Sequence, residues 1–164
     1  MANVQQLTLE NVRISFPNFG GKVTDKNKNG SREYNVLLDP EVGFELAQQG
    51  WNVKKLPTEE EPNNCPYLPI TLSNGPIVQP WIKIVLVNNG HGIIVQPDDA
   101  EQLALMDGVT TAARANVILS PYHWTVNGNS GIKAYTNKLY IYVDDIDDSL
   151  LPHMEDFERE ISYL

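Results

Sequence analysis

The segment GIKAYTNKLYIYV, residues 131–143, decides the fold class of this chain. From residue 138 onward, lysine and tyrosine hold the even positions and aliphatic residues hold the odd positions, which is the alternation of a β-strand with one buried face. Lys133 and Tyr135 fall on odd positions, so they face the opposite way unless a one-residue bulge near Thr136 or Asn137 shifts the alternation. With that bulge, one exposed face carries Lys133, Tyr135, Lys138, Tyr140 and Tyr142.

Further strands are predicted on both sides of this segment. ANVILSPYHWTV (residues 115–126) precedes it and is joined to it by the turn sequence NGNSG, which predicts a β-hairpin. The other strand-like segments are TLENVRISF (8–16), REYNVLLD (32–39), WIKIVLV (81–87) and GIIVQ (92–96), the last two forming a second hairpin. In the first of these, the alternation places Val12, Ile14 and Phe16 on the core side.

Two short helices and a proline-rich connection complete the predicted fold. Asp39, followed by Pro40, can cap a helix that ends before Gly50, and DDAEQLALMDG (residues 98–108) predicts a second helix. Residues 56–80 hold six of the eleven prolines, which predicts an ordered connection or an edge strand. The chain is therefore predicted to be mainly β, and a small antiparallel barrel of the oligonucleotide-binding (OB) type, with two short helices and an acidic C-terminal appendage, is compatible with this content.

Charge is unevenly distributed along the 164 residues, whose formal net charge is −9. Residues 144–164 contain eight acids and one base, a net charge of −7, so residues 1–143 carry only −2. Glu59, Glu60 and Glu61 cluster within that remainder, so the rest of the body is about balanced and can present a locally basic groove. The glycine- and lysine-rich segment GGKVTDKNKNGS (residues 20–31) is predicted to be a mobile loop.

Aromatic and basic residues recur together on the predicted strands. Bases of unpaired nucleic acid stack on aromatic rings while lysine and arginine neutralise phosphates, so this combination indicates single-stranded nucleic acid as a ligand. The same residues also fit half-buried strand positions with solubilising lysines, and one of Trp51, Trp81 and Trp124 is expected to be structural. The candidate contacts are Arg13, Arg32, Tyr34, Trp51, Lys54, Lys55, Trp81, Lys83, Tyr122, Trp124, Lys133, Tyr135, Lys138 and Tyr140.

Signatures of catalysis, metal binding and membrane insertion are missing from the sequence. Cys65 is the single cysteine, the three histidines have no zinc-ligand spacing, and neither a phosphate loop nor a nucleophile elbow is present. No apolar run approaches membrane-spanning length, and the first residues lack the pattern of a signal peptide. We therefore expect a protein that is not an enzyme, needs no cofactor or metal, does not bind a membrane and acts in a reducing cytoplasm.

Several segments together resemble bacteriophage single-stranded-DNA-binding proteins of the OB fold. The resemblance covers most of residues 9–145 and rests on NVRISFPNFGG, REYNVLLD, GWNVKKL, PWIKI and, above all, WTVNGNSGIKAYTNKLYI. It implies strand coating in phage DNA replication, recombination or repair, in the cytoplasm of the infected bacterial host. The implied organisation is a DNA-binding domain over residues 1–145 and an acidic tail over residues 146–164.

The acidic end has two open interpretations. In proteins of the resembled family, acidic ends commonly recruit replication or recombination proteins and compete with DNA for the binding groove. Here Met154, Phe157, Ile161 and Leu164 fall at helical spacing, so the segment can instead form an amphipathic helix that packs on the body or on a second subunit. Two alternative functions for the whole chain stay open: a phage structural or assembly protein that uses its sheet for protein contacts, and a carbohydrate-binding module that uses the aromatic face for sugars.

Overall fold

The computed structural model describes residues 6–19, 21, 32–72, 80–86, 92–95, 100–109 and 114–143. Within these ranges the chain forms seven strands and two helices. In chain order they are β1 (Leu7–Asn18), β2 (Glu33–Leu37), α1 (Pro40–Gln48), β3 (Tyr67–Thr71), β4 (Trp81–Leu86), β5 (Gly92–Val95), α2 (Ala100–Val109), β6 (Arg114–Val126) and β7 (Asn129–Val143). The predicted lysine-rich loop and the acidic end lie outside the described residues.

Five of the strands close into a barrel. The strands are hydrogen-bonded in the order β3-β2-β1-β6-β7-β4-β5, and β3 also pairs in parallel with β7. That last pairing, Ile70 with Ala134 and Thr71 with Tyr135, closes the ring β1-β2-β3-β7-β6. The predicted OB-like small barrel with two short helices is confirmed.

Strand β7 is long enough to pair with β3 along one part and with β4 along another. Its first half contributes to barrel closure beside β3, whereas residues 138–143 pair in parallel with β4. The antiparallel pairing of β4 with β5 confirms the predicted hairpin, which extends the sheet beyond the barrel. The β6–β7 hairpin turns at Asn127 and Gly128, whose φ values of 52° and 81° suit a two-residue turn with the right-handed twist of the strands.

The hydrophobic core, which lies inside the barrel and continues under the β4–β5 extension, is filled by alternating aliphatic residues. Leu139 and Ile141 of β7, Ile82 and Ile84 of β4, and Val117 of β6 are fully buried. At apolar burial of roughly 25 cal/mol per Å², side chains of this size each contribute about 1.5–3 kcal/mol to folding. The faces of β4, β6 and β7 that point away from these residues are left for other contacts.

Part of the proline-rich segment forms an interior strand of the barrel and not an edge strand. β3 contains Pro69, yet it lies between β2 and β7 in the closed barrel, so the prediction of a connection or edge strand is wrong for residues 67–71. Pro69 is tolerated because the ladder to β7 begins only at Ile70, one residue later.

Phe16 does not share the core side of β1 with Val12 and Ile14, contrary to the alternation. Its φ of 49° turns the side chain outward, where it is 84% exposed, and the register to β2 shifts between Ser15 and Asn18. Phe19 fills the core instead, with its ring centroid 5.1 Å from that of Tyr34. The Phe19 amide N–H donates to Asp107 Oδ1 at 2.6 Å, which fixes the end of β1 against α2.

Candidate nucleic-acid interface

A bulge at Asn137 places both halves of β7 on one exposed face. Ile118 of β6 pairs with Lys138, but the next residue, Leu119, pairs with Thr136, so Asn137 is the extra residue. Because of it, Ala134 and Thr136 are buried on the same side as Leu139 and Ile141. The predicted bulge is confirmed, and we call the outward side of β4, β6 and β7 the aromatic-basic face.

The half of this face next to β4 is built around Trp81 and Tyr140. Their ring centroids lie 5.2 Å apart at an interplanar angle of 56°, and Trp81 remains 38% exposed. Lys83 is the register partner of Tyr140, and Lys138 is the register partner of Trp81. Each ring is therefore adjacent to a cation, which is the arrangement that pairs base stacking with phosphate neutralisation.

The half next to the hairpin turn repeats this arrangement. The rings of Tyr122 and Tyr135 meet edge to face with centroids 6.0 Å apart, and Tyr122 is 57% exposed. Lys133, the register partner of Tyr122, holds its Nζ 5.4 Å from the ring centroid of Tyr135. At that distance a cation is attracted by the ring quadrupole, so Lys133 is positioned rather than free in solvent.

Trp124 is held in place by a glycine. Gly131 is its register partner, and a methyl group added at Gly131 would lie only 2.8 Å from Cζ2 of Trp124. The indole therefore lies across the bare backbone of Gly131, where any larger residue would displace it.

The four strands of this part of the sheet carry only positive charge. β4, β5, β6 and β7 contain Lys83, Arg114, Lys133 and Lys138 and not one aspartate or glutamate. In a chain of net charge −9, this segregation favours a locally positive potential on the aromatic-basic face.

Comparison with known protein families agrees with the geometry of the aromatic-basic face. A family model described as "Putative phage ssDNA-binding domain" matches residues 1–155. The chain belongs to this family. The resemblance inferred from the sequence is thereby confirmed, and the match extends ten residues past the predicted domain boundary at residue 145.

Solved structures of phage single-stranded-DNA-binding proteins share the fold of this family member. The C-terminally truncated protein from bacteriophage Enc34 superposes with a TM-score of 0.52 at 12% identity, covering 86% of this chain and 87% of that chain. The Enc34 protein in complex with ssDNA gives a TM-score of 0.52 at 10% identity, covering 88% and 89%. No curated protein matches the sequence.

Two of the predicted contacts lie in the core of this phage ssDNA-binding domain. Tyr34 is fully buried, and its hydroxyl forms a 2.7 Å hydrogen bond with Thr136 Oγ1. Burial raises the pKa of Tyr34 far above its ordinary value, against the opposing effect of that hydrogen bond. Trp51 is only 3% exposed, which confirms that one tryptophan is structural. Neither side chain can stack on a base without disrupting the barrel.

The remaining predicted contacts divide by location. Lys54 and Lys55 are exposed but lie in the segment between α1 and β3, where Lys54 pairs with Tyr67. Arg32 precedes β2, and its carbonyl accepts from the Leu72 amide N–H at 2.9 Å. Arg13 adjoins the aromatic-basic face through Arg114, its register partner on β6. The segment that carries Lys54 and Lys55 reaches β7 through the bridge between Trp51 and Ile132.

Sequence reasoning omitted three residues of the face from the candidate list. Arg114, Asn116 and Tyr142 all point outward, and Asn116 Nδ2 donates to the Tyr142 hydroxyl at 3.3 Å. For Arg114 and Asn116, the available signal was their alternation with the buried Ala115 and Val117 in RANVIL (residues 114–119).

Other site classes lack support in the described ranges. No group of three or more His, Cys, Asp or Glu side chains there is arranged to hold a metal ion. The helices described are also too short and too polar to cross a membrane.

Proposed function

We propose that this protein binds single-stranded DNA, largely without sequence preference, in phage DNA replication, recombination or repair. The observation that carries the proposal is the aromatic-basic face, on which paired rings alternate with lysines and from which carboxylates are absent on all four strands. Membership of the phage ssDNA-binding domain family supports the same function.

The chemistry of the face favours unpaired over paired DNA. Stacking a base on an aromatic ring contributes roughly 1–3 kcal/mol, and it requires a base whose ring face is free. In a duplex those ring faces are covered by neighbouring bases, so only the phosphate contacts with lysine and arginine remain. Aromatic rings and point charges also do little to distinguish the hydrogen-bonding edges of different bases. We therefore expect DNA binding to depend little on sequence.

The proposed activity is strand coating without bond breaking, in the cytoplasm of the infected bacterial host. We further infer that the acidic residues 144–164 compete with DNA for the positive face and recruit replication or recombination proteins. The support is the net charge of −7 on residues 144–164, tethered directly to the end of β7. Truncation from Ser149 should then tighten ssDNA binding, most strongly at low salt where screening is weakest. An unchanged affinity together with an altered melting temperature or solution mass would favour an amphipathic helix that packs on the body or on a second subunit.

A charge-reversal experiment tests the location of the site. Lys133→Glu and Lys138→Glu each change the net charge by −2 on the face, at exposed positions whose side chains are outside the core. The control is the double variant Gln48→Glu with Asn63→Asp, which makes the same change at exposed positions on α1 and in the following loop. Titration of a fluorescent oligo-dT should show weakened binding for the two lysine variants and near-wild-type binding for the control. Equal weakening in all three would mean that net charge, and not this face, sets the affinity.

A further inference from the structure

An open cavity of about 640 Å³ adjoins the end of the aromatic-basic face. It lies between β1 and the beginning of α1. Its lining includes apolar Leu37 and Val42, the acidic residues Glu10 and Asp39, and the basic residues Arg13 and Arg114. A volume of this size lies within the range of small-molecule sites, so it can admit a single planar base.

Two arginines face each other directly at this cavity. Arg13 of β1 and Arg114 of β6 are register partners, and both are exposed. Like charges directly opposite one another destabilise a strand pair, and an anion bound between the two guanidinium groups would relieve that repulsion. Arginine is also the residue whose planar fork best matches a phosphate.

The arginine pair is set in place by a bulge that is tied to the aromatic-basic face. The β1–β6 register shifts between Leu9 and Val12, and Asn11 has a φ of 53°. The Asn11 amide N–H donates to Asn116 Oδ1 at 2.8 Å, and the Asn11 carbonyl accepts from Arg114 Nη1 at 3.1 Å. Asn116 in turn donates to the hydroxyl of Tyr142. A strand lying over Tyr142 therefore reaches the arginine pair next.

We propose that this cavity is a subsite for one nucleotide of the bound strand. The phosphate lies between Arg13 and Arg114, and the base enters the cavity against Leu37 and Val42. Glu10 and Asp39 accept hydrogen bonds from ring or amino N–H groups of the base, in the way that carboxylates read the amino group of cytosine. Guanine, with an adjacent ring N–H and amino group, fits best, and thymine, with a single ring N–H, fits worst. The inference rests on the proposed function. It adds one nucleotide position with a base preference to a binding site that is otherwise insensitive to sequence.

Mononucleotide binding tests the subsite independently of strand coating. Deoxyguanosine 5′-monophosphate should shift the backbone NMR signals of residues 9–13, 37–42 and 114, and thymidine 5′-monophosphate should do so more weakly. Inorganic phosphate alone should shift only the arginine region. Equal shifts with all three probes, or none near these residues, would overturn the proposal of a base-reading subsite.

Arginine variants test the same subsite on DNA. Arg13→Gln and Arg114→Gln should each reduce the log–log salt slope of oligonucleotide binding by about 0.7, the value for one phosphate contact on a single strand. Gln48→Glu, which also changes the net charge by −1, should leave the slope unchanged. Arg13→Gln is informative even if Arg114→Gln unfolds the protein, because the Arg13 side chain is exposed.

The base-reading groups need a separate variant. Glu10→Gln combined with Asp39→Asn should remove the preference for oligonucleotides that contain guanine, so that their affinity becomes equal to that of oligo-dT. If the wild-type protein binds no single strand at all, the proposed function itself fails. If it binds but the arginine variants keep the wild-type slope and affinity, only the subsite is wrong.

Discussion

At the scale of single residues, Phe16 has a positive φ and Phe19 does not, and the two rings lie in different environments. A positive φ is rare for a bulky residue and costs roughly 1–2 kcal/mol, because Cβ approaches the following carbonyl. Phe16 adopts it and is exposed, whereas Phe19, three residues later, is fully buried against Tyr34. The two rings therefore contribute very differently to stability.

Replacing Phe16 by glycine should cost less than about 1 kcal/mol of unfolding free energy. Glycine relieves the strained φ, and this gain offsets its larger loss of chain entropy, about 0.5–1 kcal/mol. Phe19→Ala should instead lower the unfolding free energy by about 3–5 kcal/mol through a core cavity. Denaturant titration of both variants measures the difference, and a Phe16→Gly loss as large as that of Phe19→Ala would contradict the exposed placement of Phe16.

Neighbouring residues on β7 should separate binding from folding. Tyr140 is half-buried on the aromatic-basic face, while Ile141 is fully buried on the other side of the strand. Tyr140→Ala should weaken oligo-dT binding by about 1–3 kcal/mol with little change in melting temperature. Ile141→Ala should lower the unfolding free energy by about 2–5 kcal/mol.

The same comparison applies to Tyr135, Trp124 and Lys133, whose alanine variants should weaken binding and leave the fold intact. A Tyr135→Ala protein that is destabilised but binds normally would identify that ring as part of the core. Thermal melting and DNA titration on one set of samples distinguish these outcomes.

At the scale of elements, most strands could be predicted from the alternation of side chains and both helices from their end signals, whereas β3 and some of the bulges could not. The bulge at Asn137 was predictable because the polar residues change from odd to even positions within one strand. The β1 bulges were not, since Phe16 is apolar and fits the core alternation, and only the backbone shows its positive φ. Tyr34 and Trp51 were misassigned because an aromatic residue beside a cation looks the same in sequence whether its ring faces solvent or the core.

The β6–β7 hairpin supplies a test of how Trp124 is positioned. Gly131→Ala should push the indole aside, since the new methyl group would lie 2.8 Å from Cζ2. We expect weaker oligo-dT binding than wild type and a smaller loss than for Trp124→Ala, with the melting temperature nearly unchanged because this end of the hairpin is exposed.

Ser130→Ala, an exposed neighbour on the same strand, is the control for the glycine variant. Quenching of tryptophan fluorescence on DNA binding gives the readout, because Trp124 and Trp81 are accessible and Trp51 is buried. Wild-type affinity for Gly131→Ala would show that the indole position does not matter for binding.

At the scale of the whole molecule, charge is segregated onto one part of the sheet. Strands β4 to β7 carry four cations and no acid, while the acids of the described residues lie on β1, β2, both helices and the connecting segments. An acidic protein can therefore bind a polyanion, because the ligand experiences the local potential of the face and not the net charge.

Binding of fluorescent oligo-dT and of a duplex of equal length, each at two salt concentrations, tests the central claim most directly. Three or four neutralised phosphates predict a log–log salt slope of roughly −2 to −3 for the single strand. The single strand should bind at least about fivefold more tightly than the duplex, because even one stacked base contributes about 1–3 kcal/mol that the duplex cannot supply. Equal or tighter binding of the duplex, or no salt-dependent binding of the single strand, would contradict the account.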